Sequence, residues 1–202
     1  MFYTHLFVPL HPLKRANDKM DDKQNDIAQE LAQLHVLSGI DFSRKLEQIC
    51  QRGEFHPVKD EVGIYSAISE NDDYESLLAA ARRAVYHGFK VFILPNPQGQ
   101  RTADFIFVRR GIYRLYDLKT IQGKSSVLNR LLESVGQANH VLLNLATDYQ
   151  ATALARSIKK YFERNPSAVQ VLIFRGNKVM SVTRKTLEDR KFVATFTKLY
   201  YK

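Results

Sequence analysis

Two short stretches and the turn between them constrain this chain more than any other feature of its 202 residues. Residues 103–108 (ADFIFV) and 112–120 (IYRLYDLKT) are runs of β-branched and aromatic side chains, and Arg109-Arg110-Gly111 supplies the turn between them. With Arg110-Gly111 as a two-residue turn, Phe105 faces Tyr116 and Asp104 faces Asp117. Facing Cβ atoms in such a hairpin lie about 4.5–5.5 Å apart. The two-residue period of a strand also puts Lys119 on the face of Asp117. Two carboxylates held side by side repel, so a sheet keeps them together when something positive sits between them. A divalent cation, Mg²⁺ or Mn²⁺, meets that need, since Mg²⁺ takes one or two carboxylates together with water and phosphate oxygens. The expectation depends on register, because a slip of one residue moves Asp104 to the opposite face.

The surrounding pattern alternates helices and strands. Helical spacing predicts a helix over about 21–37, with Ile27, Leu31 and Leu34 on one face, and a second over 41–51. A strong helix follows at 76–87, stopped by Gly88 and preceded by acidic residues including Glu70 and Glu75, where the macrodipole favours them. Residues 89–94 (FKVFIL) read as a strand. Beyond the hairpin the sequence predicts a long helix over about 126–145 and another over 151–164. A second hairpin, 168–174 and 179–183, turns at Gly176-Asn177, and 192–201 reads as an edge strand. The sum is an α/β protein: a mixed sheet flanked by helices, with residues 1–60 as a helical N-terminal accessory region and 61–202 as the principal domain.

Charge is distributed unevenly. The net charge is +9, yet residues 1–60 hold 8 Lys/Arg against 9 Asp/Glu, whereas residues 154–202 hold 12 basic and 3 acidic side chains. A basic excess at one end suits a polyanion, because cations that contact phosphates release condensed counterions. Nucleic acid is favoured over a membrane surface, since the basic stretch is not one clean amphipathic helix. A lone cysteine, Cys50, fits a reducing compartment. No apolar run reaches the length of a membrane span, and the start of the chain lacks the basic n-region of a signal peptide. A cytoplasmic setting is the expectation. His87 and His140 have no partner at ligand spacing and do not suggest zinc.

A helix bearing Glu75, a strand, Asp104 on a second strand, Asp117-Leu118-Lys119 on a third and then a helix resembles the core of the PD-(D/E)xK nucleases. More narrowly, 89–95 (FKVFILP), Ala103-Asp104-Phe105, 116–120 (YDLKT) and 136–139 (GQAN) resemble the tRNA-nuclease domains at the C-termini of contact-dependent growth-inhibition toxins and their relatives on mobile elements. The resemblance covers about residues 70–183. It implies a restriction-endonuclease-like sheet, a divalent metal and hydrolysis of phosphodiester bonds, with RNA, tRNA in particular, ahead of DNA. It further implies that Asp104 and Asp117 bind the metal, that Lys119 is catalytic and that Glu75 assists. Lys124 and Ser125, before a helix whose N–H groups can hold phosphate, and Gln137 in the following helix become substrate-binding candidates. An immunity or docking protein is an implied partner. Ala103 departs from the proline of the family pattern. A module that binds nucleic acid without cutting it, and a structural protein of a mobile element, are the alternatives left open.

Overall fold

The computed structural model describes residues 26–34, 39–68, 73–96, 102–123 and 126–202. Lys124, Ser125 and Glu70 lie outside the described residues, as does the apolar start of the chain. Residues 26–33 are helical (α1), followed by α2 (Gly39–Cys50) and two short strands, β1 (His56–Pro57) and β2 (Ile64–Ser66). Then come α3 (Tyr74–Tyr86), β3 (Lys90–Ile93), β4 (Phe105–Arg109) and β5 (Ile112–Ile121). The rest is α4 (Val127–Leu132), β6 (His140–Leu145), α5 (Ala151–Arg164), β7 (Gln170–Arg175), β8 (Lys178–Thr183), α6 (Arg184–Leu187) and α7 (Phe192–Tyr201). The described strands form one mixed sheet in chain order, from β1 to β8. The α/β class with helices flanking a mixed sheet is the one the sequence predicts.

Strand order follows from the connections. Hairpins join β1 to β2, β4 to β5 and β7 to β8 as antiparallel pairs, with β3 and β4 also antiparallel. Helices α3, α4 and α5 each carry the chain across to a parallel neighbour, giving the pairs β2–β3, β5–β6 and β6–β7. Gly111 at φ 73° and Arg110 at φ 53° make the tight turn of the β4–β5 hairpin. Positive φ at both central residues is what a two-residue turn of matching twist demands.

Each face of the sheet is covered. On one, α3 places Leu78, Ala81 and Ala84 over Val91, Ile93, Phe105, Phe107, Tyr116 and Leu142. On the other, α1 and α2 cover Phe92, Ile106 and Leu115 with Ile27, Leu31, Leu46 and Ile49. Farther along that face, α4, α5 and α7 cover Ile121, Val141, Leu143, Val171 and Ile173. Helix α5 buries Leu154, Ile158, Tyr161 and Phe162, spaced at helical intervals. Full burial of a side chain such as Ile158 contributes about 1.5–3 kcal/mol. Asp117 therefore lies on the face where the two groups of helices meet, between Leu115 and Ile121.

Two expectations are corrected. The long helix over 126–145 is a single six-residue helix, α4, followed by turns and by strand β6. Gly136, at φ 85°, interrupts the segment, and Val141, Leu142 and Leu143 are all fully buried in a central parallel strand. The tail at 192–201 is helix α7 and not an edge strand: Phe192, Phe196 and Tyr200 recur every fourth residue and pack against α5. Strands β1 and β2, of two and three residues, went unread.

Candidate active site

The hairpin adopts the predicted register. Arg109 pairs with Ile112, and the ladder continues through Val108–Tyr113 and Phe107–Arg114 to Phe105–Tyr116. Asp104 stands one residue beyond the last pair, where the chain bends out of β4. Its N–H still donates to the Tyr116 carbonyl at 3.0 Å, and its carbonyl accepts from Leu94 at 2.9 Å. Its carboxylate then does what the main chain has stopped doing: Oδ2 accepts the Leu118 N–H at 2.6 Å. The end of the ladder thus turns the Asp104 side chain onto β5, beside Asp117.

Asp117 is 1% exposed. Lys119 Nζ donates to Asp117 Oδ1 at 3.0 Å and lies 2.7 Å from Oδ2. That second approach is an ion pair without hydrogen-bond geometry, so Oδ2 is buried with no hydrogen-bond partner. The Asp104 and Asp117 carboxyls are close enough to act on each other's ionisation. Burial, and then the charge of Asp117, push Asp104 up to about 7, against the weaker pull of the Leu118 N–H and Lys119. Burial also raises Asp117, opposed chiefly by Lys119. One lysine does not satisfy two carboxylates, and burial together with their mutual repulsion favours the protonated form of the pair.

This donor set fits a divalent cation. It offers hard carboxylate oxygens, one of them without a hydrogen bond, at a place where added positive charge would let both groups ionise. Among the described residues, no third His, Cys, Asp or Glu joins the two in a metal-holding cluster. The remaining positions of a bound ion would fall to water and to substrate oxygens.

A cavity of about 240 Å³ opens beside Asp104, lined also by Asp73, Ser76, Leu77, Asn96 and Thr120. Asp73 immediately precedes α3 and makes no side-chain capping bond to it. Glu75, the expected helical carboxylate, is exposed in the first turn of α3 and does not line this cavity. Sequence reasoning passed over Asp73 because it stands before the first helical residue, although it belongs to the same acidic run. Gln137 lies elsewhere. Its Nε2 donates to the Glu133 carbonyl at 2.9 Å, closing the end of α4, and it borders a second cavity of about 700 Å³ with Leu31, Phe42, Ala103 and His140. The N-cap of α4 is Ser126, whose Oγ accepts the Asn129 N–H. Tyr116 and Phe107 pack tilted against each other, 4.6 Å between ring centres, within the core, and Tyr116 donates to Gln170 at 2.6 Å, so neither ring is presented for base stacking. Burial, with the charge of Arg114, lowers His140 to about 4 and keeps it neutral.

No family model matches the chain, and no curated protein does. Among solved structures, a CdiA-CT/CdiI toxin and immunity complex from Burkholderia pseudomallei is similar over 63% of this chain and 96% of that chain, at 14% identity and a TM-score of 0.36. A likeness this low carries no correspondence between residues. Among the described residues, no helix is long and apolar enough to cross a membrane.

Proposed function

We propose that this chain is a metal-dependent endonuclease that hydrolyses phosphodiester bonds. The observation that supports it best is the Asp104–Asp117 pair at the end of the β4–β5 ladder, with Lys119 in an ion pair beside it and a buried Asp117 oxygen that accepts no hydrogen bond. Asp104 and Asp117 would hold Mg²⁺ or Mn²⁺. Such an ion, when bound, lowers the pKa of water and offsets charge on a phosphate. Lys119, fixed by Asp117, is placed to orient the attacking water or to steady the negative charge that builds on the phosphate. Leu118 holds Asp104 in place through its N–H, leaving the other carboxylate oxygen for the ion. RNA, and tRNA foremost, is the proposed substrate on the narrower sequence resemblance, which also extends the proposal to a protein partner of the immunity type.

The test is cleavage of a tRNA pool and of plasmid DNA with Mg²⁺ or with EDTA. Asp117→Ala is expected to lower the Mg²⁺-dependent rate about 10³-fold, the equivalent of several kcal/mol of lost transition-state stabilisation. Absence of cleavage with Mg²⁺ or with Mn²⁺ in its place, or equal cleavage by the variant, would overturn the proposal.

A further inference from the structure

The basic excess of the C-terminal quarter divides into two groups. Some cations are committed to the fold. Arg184 donates to the carbonyls of Phe162, Asn165 and Pro166, tying the end of α5 to the start of α6. Arg175 pairs with Asp148, donates to the Tyr200 carbonyl and stacks on the Tyr200 ring. Others are exposed and uncommitted. Arg190, Lys191, Lys198 and Lys202 line an open groove of about 920 Å³ between α7 and the first turn of α5, together with Thr152 and Tyr201. Among the described residues, none of these four cations makes an ion pair. The nearby carboxylate of Asp189 is taken up locally, accepting the Lys191 N–H and the Thr195 hydroxyl.

From these observations we infer that the α5–α7 groove binds the phosphate backbone of a nucleic-acid strand, at a surface separate from the Asp104–Asp117 site. Four cations share one shallow, open surface with no acidic side chain in its lining. From Lys191 to Lys202 the helix rises about 16 Å. That length matches about five phosphates of one duplex strand, at about 3.4 Å each along the axis. Tyr201, 62% exposed, offers a ring on which a base can stack at the end of this track. The apolar stripe of α7, Phe192, Phe196 and Tyr200, is buried against α5. A membrane-bound amphipathic helix would have to present that face to lipid, so the observations favour a strand over a bilayer.

This inference deepens the nuclease reading by assigning where substrate lies beyond the reacting phosphate. Measured as binding in EDTA, its failure is distinct from a failure to cut. The experiment is fluorescence anisotropy of the full chain with a labelled 20-nucleotide RNA, single-stranded and as a duplex, over a range of NaCl. The Arg190→Gln/Lys198→Gln protein is expected to bind about tenfold more weakly at 100 mM NaCl, with a salt slope shallower by about 1.5. Lys159→Gln/Lys160→Gln removes the same charge from the exposed side of α5 outside the groove and should change affinity less than about threefold. Circular dichroism melts, and an Arg190→Glu/Lys198→Glu protein with a larger loss, separate lost contacts from lost folding. Equal losses in the groove and control variants, unchanged binding, or binding to phosphatidylserine vesicles without binding to RNA would each overturn it.

Discussion

Two buried polar clusters lie on the same side of the sheet and solve the same problem in opposite ways. In one, Ser134 Oγ donates to the Leu131 carbonyl and meets the Tyr161 hydroxyl at 3.1 Å, which in turn accepts from Asn165 Nδ2. Asn165 Oδ1 takes the N–H and hydroxyl of Ser167. Every group is neutral, and each donor in the chain meets an acceptor. In the other, Asp104 and Asp117 face one lysine, and one oxygen of Asp117 is left with no hydrogen bond. Neutral networks that close on themselves stabilise a core. A charged cluster that stays open raises the energy of the folded chain and is kept where it binds or reacts. On the proposed reading, the contrast sets structural polarity against functional polarity.

Removing one charge from the open cluster should stabilise the metal-free chain. A carboxyl whose folded pKa lies above its unfolded value favours folding only while protonated. The contribution of Asp104 to stability should therefore be greatest near pH 4, fall as pH rises toward 7, and level off above it. For Asp104 the shift is worth on the order of 2–4 kcal/mol. Asp104→Asn, which can still accept the Leu118 N–H, is expected to raise the melting temperature at pH 8 in EDTA by about 5–10 °C. Near pH 4 the gain should vanish. An equal gain at both pH values would show that repulsion is not its source.

Magnesium should supply a comparable stabilisation by the opposite route. At 100 times its dissociation constant, a ligand that binds only the folded state adds about 2.7 kcal/mol. The wild-type melt at pH 8 should rise by about 5–10 °C with Mg²⁺, and the melts of Asp104→Asn and Asp117→Asn by much less. A rise shared by all three proteins would place the ion elsewhere.

The open cluster was legible in sequence because it hangs on a hairpin. Gly111 and the alternation of β4 and β5 fix the register, and the register fixes which side chains meet. Asp104 departs from a strictly facing pair because the ladder ends at Phe105, a local bend that periodicity does not record. Helix α5 was equally plain: an amphipathic stripe runs from Ala151 to Arg164 and stops before Pro166. Strand β6 was hidden for the reason that it is central. Buried on both faces at its centre, it is apolar from Val141 to Leu143, and such a run does not distinguish strand from helix. In α7 the composition, rich in Thr, Phe and Tyr, pointed to a strand, while the four-residue spacing of its aromatics pointed to the helix that packing selects. The same limit hid Asp73, whose place beside Asp104 depends on how α3 docks and not on any local pattern.

The smallest expected effect is the sharpest check on the comparison, because it falls on the closed cluster. Tyr161→Phe removes one hydroxyl, leaving Asn165 Nδ2 without its acceptor and Ser134 with the Leu131 carbonyl alone. The expected loss is about 1 kcal/mol, or about 2–4 °C in the melt. No formal charge is removed, so the loss should be the same at pH 5 and pH 8, and Mg²⁺ should stabilise the variant as much as it stabilises the wild type. Burial first, and to a lesser degree the charge of Asp117, raise the Tyr161 hydroxyl, which gives the test its edge. If Tyr161→Phe also weakened the Mg²⁺ response or changed its dependence on pH, the two clusters would be one network, with the neutral half holding Asp117 in position for the metal.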